Sequence, residues 1–169
     1  FSAAAASFVL QMGKVPDVVH LHDWHAAFYF ILREFDAHYS HLRQIRTVFT
    51  VHNLAMQGIR PLRGHASSLE TWYPDLDYKL SAVVDPRYPD CVNPMAAAIR
   101  LADRINTVSA TYAGEILRAS DPPRGFYGGE GLEADLQYVH AAGRLFGILN
   151  GSEYPERRKR RPGWRRMID

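Results

Sequence analysis

Pro16-Asp-Val-Val-His-Leu-His-Asp-Trp-His-Ala26 is the stretch on which the fold turns. Asp17–Leu21 reads as a short buried strand, punctuated by Pro16 in front and Asp23 behind. From Asp23 to Phe35 the pattern becomes helical, with Asp23 placed to cap the helix N-terminus. A buried strand running directly into a helix is the first half of a βαβ unit. Arg46-Thr-Val-Phe-Thr-Val51, rich in β-branched residues, supplies the second strand.

The same alternation continues in both directions. Ser2–Met12 is Ala-rich and reads as a helix; without a basic segment before it, it does not read as a signal peptide. Because the chain starts at Phe1 rather than at Met, sequence upstream is expected to be missing. Asn53–Gly64 is a loop, and 65–90, with Pro74, Pro86 and Pro89, an irregular excursion with short helices. Asn93–Asp103 is a helix with Asn93 as N-cap and Pro94 at its first position. Arg104–Val108 is a third strand, and Ser109 caps a helix reaching about Arg118. Pro122–Gly131 is a loop, Leu132–Ala142 a helix, and Arg144–Leu149 a fourth strand closed by Asn150-Gly151. Short apolar strands separated by amphipathic helices predict an α/β fold: a parallel sheet with helices on both faces.

Composition narrows the function classes. The chain has 169 residues, one domain or one and a piece, and 47% apolar with 22% charged residues excludes a disordered chain. No apolar run approaches the roughly 20 residues of a membrane span. The single cysteine, Cys91, excludes an internal disulfide framework and a cysteine-based zinc site, and fits a reducing, cytoplasmic setting. Net charge is +2, but seven basic residues fall between Arg157 and Arg166, leaving residues 1–155 at about −3. The fold is therefore not basic, and no nucleic-acid partner is expected.

In open α/β sheets ligands sit beyond the carboxyl ends of the strands. That directs attention to His22-Asp23-Trp24-His25, His52-Asn53, Ser109 and Asn150-Gly151. Three histidines within His20–His25 suggest a metal site, with His20 and His22 on one strand face. However, Asp23 follows the second histidine directly, one residue short of the His-x-His-x-Asp-His pattern of zinc hydrolases, and no metal is expected. Taken alone, His20 reads as a core histidine between strands, and Asp23 as a helix cap. His52 and Asn53, directly after a buried strand, are neutral donors and acceptors of the kind that fix carbohydrate hydroxyls; the plainer reading is a turn made by Asn53. Phe126–Gly131 lacks the Lys-Ser/Thr ending of a phosphate cradle and reads as a loop. Trp72 and Tyr88 read as core packing. There is no Gly-x-Ser-x-Gly elbow to support a serine hydrolase.

Taken in order, five segments resemble the bacterial glycogen synthase and plant starch synthase family of ADP-glucose-dependent glycosyltransferases. They are Pro16–Ala26, Thr47–Gly58, Ala102–Ser109 with Thr111-Tyr112, Gly129–Leu132 and Gly143–Gly151. The resemblance implies one part of a GT-B enzyme, in which two Rossmann-like domains face each other across a cleft. Residues 1–155 would be the later part of the N-terminal domain, and 156–169 a basic tail or the start of an interdomain linker. It implies transfer of glucose from ADP-glucose to the non-reducing end of an α-1,4-glucan with retention, with no further cofactor. By resemblance His52 and Asp23 are the residues at the reacting sugar. Trp24, His25, Asn53, Gln57 and Asn150 line the sugar and acceptor side. The family's Lys-x-Gly-Gly loop and its C-terminal domain, the implied partner holding the diphosphate, have no counterpart here, so little catalysis is expected of this chain alone. The rival readings are a non-catalytic glucan-binding module and a His-rich zinc hydrolase.

Overall fold

The computed structural model describes residues 1–151. The basic tail at 156–169 and the boundary before it lie outside the described residues. Helix α1 (Ser2–Gln11) precedes strand β1 (Val18–His22), which passes without a connecting residue into α2 (Asp23–Phe35). A 3-10 helix at Ala37–Gln44, in a stretch that the sequence reading left unassigned, leads to β2 (Arg46–Val51). The excursion holds β3 (Arg60–Pro61), α3 (Leu69–Trp72), α4 (Leu80–Val83) and β4 (Cys91–Val92), with β3 and β4 antiparallel. Then follow α5 (Pro94–Leu101), β5 (Arg104–Thr107), α6 (Ala110–Glu115), α7 (Glu133–Ala141) and β6 (Leu145–Gly147).

The main sheet has the order β1-β2-β5-β6 and every pair in it is parallel. Each strand adds on the same side of its predecessor, and right-handed crossovers then place the connecting helices on one face. Burial agrees with this. Leu21, Phe49, Val51, Ile105 and Leu145 are buried, whereas Val18, His20 and Phe146, of opposite parity along their strands, are exposed. The expected parallel α/β sheet is present; among the described residues its helices cover one face, and the other stands open.

Helix α2 organises the core. Ala26–Leu32 are all buried, because α1 and α5 flank the helix and the sheet lies beneath it. Phe30 meets Phe49 of β2 edge to face at 5.5 Å. Buried Arg33 donates to the carbonyls of Leu42, Arg43 and Ile45, which ties the 3-10 segment to the start of β2. A second cluster, Phe28, Ile31, Leu62, Leu69, Val83, Val92 and Ala97, packs the excursion against α2 and α5. The expected caps at Asn93 and Ser109 are made: Asn93 Oδ1 accepts from Ala96 N at 3.0 Å and Ser109 Oγ from Tyr112 N at 3.0 Å. Helix α6 ends at Glu115, short of the expected Arg118.

Candidate functional site

The site grows from the carboxyl ends of β1 and β2, neighbours in register His22↔Thr50. With no residue between strand and helix, the chain must turn sharply at the junction. Asp23 takes the turn in the left-handed region, at φ 52°, a conformation that aspartate tolerates better than most residues. This corrects its expected role as a cap: it makes no capping bond to α2. Its Oδ1 instead accepts the backbone N–H of His52 at 2.9 Å, joining the two strand exits. Strain of this kind persists where surrounding contacts over-determine it, which happens most often at functional sites.

His52 is exposed just past β2, and its Nε2 lies 3.0 Å from Nδ1 of His22. His22 in turn lies against His20, with ring centroids 4.3 Å apart. His20 is not the core histidine that its position between strands suggested. It stands on the open face, with Nε2 2.6 Å from Thr50 Oγ1. Although the residue is exposed, partial desolvation of the ring where it meets Thr50 lowers its basicity, and the charges of His22 and His52 lower it further. Among the described residues no group of three His, Cys, Asp or Glu side chains forms a metal-ligand set.

Trp24 forms the wall beside these groups. Its ring lies 4.0 Å from that of His25, and the Arg60 guanidinium sits 6.0 Å from its centroid. Two open cavities meet at Trp24, one of about 220 Å³ towards Met56, Arg60 and Arg87, the other of about 270 Å³ towards His25, Phe28 and Trp72. Trp72, read from the sequence as core, is 45% exposed at the second of them.

The other expected site residues divide by what their side chains do. Asn53 Oδ1 accepts from Ala55 N at 2.8 Å, the turn that its sequence suggested. Gln57 is buried and its amide is fully engaged: Nε2 donates to the carbonyls of Leu54 and Glu130, and Oε1 accepts from Arg87 and Asn93. It braces the loop from beneath. Asn150 is exposed beyond β6, two strands from β2 in the sheet order. The structure thus brings His22, Asp23, Trp24, His25 and His52 together, and Asn150 stands apart.

Sequence reasoning passed over Tyr112 and Gly58. The Tyr112 hydroxyl accepts Leu54 N–H at 3.3 Å. Burial raises its phenol above the ordinary value, Leu54 N–H opposes the rise, and the carboxylates of Glu130, Asp23 and Glu115 add to it. Gly58, at φ +72°, lies so close to the Trp24 ring that a β-carbon there would come within 2.4 Å of Trp24 Cε3. Its place in a Gln-Gly turn after β2 was the available signal.

The family model for the starch synthase catalytic domain matches residues 1–138. The chain belongs to that family. Glycogen synthase of Lactococcus lactis subsp. lactis is 36% identical over 155 residues, covering 91% of this chain and 30% of the relative. Glycogen synthase 1 of Synechocystis sp. is 40% identical over 151 residues, 89% of this chain and 25% of the relative. Among solved structures, the catalytic domain of starch synthase IV from Arabidopsis thaliana, bound to ADP and acarbose, superposes with a TM-score of 0.71. It is 35% identical and matches 89% of this chain and 28% of its own. The chain therefore spans about 30% of the length of the first of these family members, and the matched part contains the whole His22–Gln57 constellation.

Proposed function

We propose that this chain is the sugar- and acceptor-side part of a hexosyltransferase that moves glucose from ADP-glucose to the non-reducing end of an α-1,4-glucan with retention. One observation carries the reading: in a member of the starch synthase catalytic domain family, Asp23 grips the backbone of His52, and the next residue, Trp24, walls two open cavities. Transfer through an oxocarbenium-like state needs fixed polar groups around the reacting sugar, and the joined strand exits hold them without reorganisation.

In this reading the His52 imidazole and the Asp23 carboxylate stand nearest the reacting sugar. Asp23 has a second task, aligning His52 through its N–H. The Trp24 face and the His25 ring offer apolar surface and a donor to successive glucan units. Gln57 and Asn53 shape the loop. The Arg60 and Arg87 guanidiniums line the cavity beside Trp24, and in this reading a C-terminal Rossmann-like domain is the partner that holds the diphosphate. The ADP bound to the Arabidopsis neighbour supports a nucleotide-sugar donor. No helix among the described residues is long and apolar enough to cross a membrane, and we place the enzyme in the cytoplasm.

The test is complementation with the remaining parts of a full-length relative. Transfer of labelled glucose from ADP-glucose to glycogen, abolished by His52→Ala, is the expected result. Maltooligosaccharide binding that Trp24→Ala weakens, with no transfer by the complemented protein, would make the chain a non-catalytic glucan-binding module instead.

A further inference from the structure

His52 carries its imidazole on a loop in solvent, where a side chain with two free torsions ordinarily samples several rotamers. Here the ring is held by a line of side chains across the open sheet face. Thr50 Oγ1 donates to Asn106 Oδ1 at 2.7 Å. A hydroxyl has one proton, so the 2.6 Å contact between Thr50 and His20 requires the proton to be on His20 Nε2. His20, thus fixed in one tautomer, backs the His22 ring at 4.3 Å. His22 presents Nδ1 to His52 Nε2 at 3.0 Å. Apart from His52, every member of this line stands on a ladder position of β1, β2 or β5.

From this arrangement we propose that His22 is a positioning residue for His52, selecting its rotamer and its tautomer for the transfer reaction. The inference rests on the glucosyltransferase reading above. A bond between two imidazoles needs one nitrogen with a proton and one without, so it admits one tautomer of His52 for each tautomer of His22. For a given tautomer of His22 the remaining ring nitrogen of His52, Nδ1, then meets the sugar with a fixed character. Stability does not explain the contact: both rings are exposed, and a hydrogen bond between exposed groups contributes little to folding.

Two measurements test it. The first is nitrogen-15 NMR of the histidine rings in the full chain. Wild type should show His52 as a single tautomer with a coupling across the bond to His22, and His22→Ala should show the averaged shifts of two exchanging tautomers. An averaged His52 in wild type, or an unchanged one in His22→Ala, overturns the proposal. The second is glucosyl transfer by the protein expressed from its complete coding sequence. His22→Ala should lower kcat roughly 10- to 100-fold with KM for donor and glucan within about twofold, the pattern of a misplaced reacting group. His22→Asn, which keeps a polar atom near the Nδ1 position, should recover much of the loss, and His22→Phe, which keeps a ring but no nitrogen, serves in place of His22→Ala if that variant folds poorly. A kcat unchanged in His22→Ala, or lost equally in it and in His22→Asn, overturns the proposal. If wild type itself transfers no glucose, the glucosyltransferase reading falls and with it the part His22 plays in that reaction. A His52 tautomer locked in wild type and released in His22→Ala would still uphold the positioning of one ring by the other.

Discussion

Replacing Gln57 with leucine removes four hydrogen bonds while nearly conserving volume. Two of the groups left behind recover partners: Arg87 is 37% exposed and keeps Asp85 at 3.7 Å, and the Glu130 carbonyl lies at a partly exposed position. Two do not. Leu54 is fully buried, so its carbonyl loses its donor, and the Asn93 amide, also buried, keeps Asp85 but loses one acceptor. Each orphaned buried group costs about 1–3 kcal/mol, so Gln57→Leu should destabilise by about 3 kcal/mol. For a domain of this size that lowers Tm by roughly 6–12 °C. Urea and thermal unfolding, followed by circular dichroism, measure it directly. Because the brace lies under the 53–58 loop, transfer activity should fall as well, through loss of order around His52. A Gln57→Leu protein within about 0.5 kcal/mol of wild type that still fails to bind glucan would refute the reasoning, and Gln57 would be a direct ligand contact.

Gly58→Ala should cost about 1–2 kcal/mol for the left-handed backbone alone and push the Trp24 ring from its place, since the added carbon would lie 2.4 Å from Cε3. Acrylamide quenching of Trp24, with Trp72 and Trp164 replaced by phenylalanine, reads the displacement. Burial would raise the Asp103 carboxyl, but hydrogen bonds from the Thr47 hydroxyl and N–H, then the Arg33 and Arg46 guanidiniums, outweigh it and hold it below the ordinary range. Its stabilisation is therefore present above the unfolded value near pH 4 and is lost as pH falls through the lower folded value. Thr47→Val should be less stable than wild type at pH 7, with the gap narrowing towards about pH 2 in urea unfolding. His20 has the opposite chemistry: its folded basicity is lowered, so the unfolded chain takes up the proton first and stability falls as pH drops below about 6.5. His20→Gln, which keeps a donor for Thr50, should flatten that slope; an unchanged slope would assign it to another histidine.

Local chemistry made much of the fold legible. The β-branched run at Arg46–Val51 became β2, Asn93-Pro94 capped α5, and strands alternating with helices became a parallel sheet. The 3-10 segment at Ala37–Gln44 was not legible, because its order comes partly from Arg33 donating to carbonyls there and just beyond. Nor was the open face: coverage depends on the direction in which strands are added, and periodicity does not carry that. At the site, position after a strand pointed to Asp23, Trp24, His25 and His52. The tasks of Asp23 and Gln57 were hidden because both are set by partners 29 to 73 residues away, His52 for one and Arg87, Asn93 and Glu130 for the other. Sequence order shows which residues emerge at a strand end, but not which of them turn inward.

The joined strand exits are the centre of the account, and one rate comparison tests them. Glucose transfer from labelled ADP-glucose to glycogen would be measured for wild type, Asp23→Asn and His52→Ala, each expressed from the complete coding sequence. Asn at position 23 keeps both the left-handed turn and an acceptor for His52 N–H, so its fold and melting should match wild type. If Asp23 stands beside the reacting sugar, as proposed, removing its charge should still lower kcat on the order of 100-fold or more, as should His52→Ala. A wild-type protein that transfers glucose while both variants stay within about twofold of it would contradict the account, because the reacting centre would then lie elsewhere.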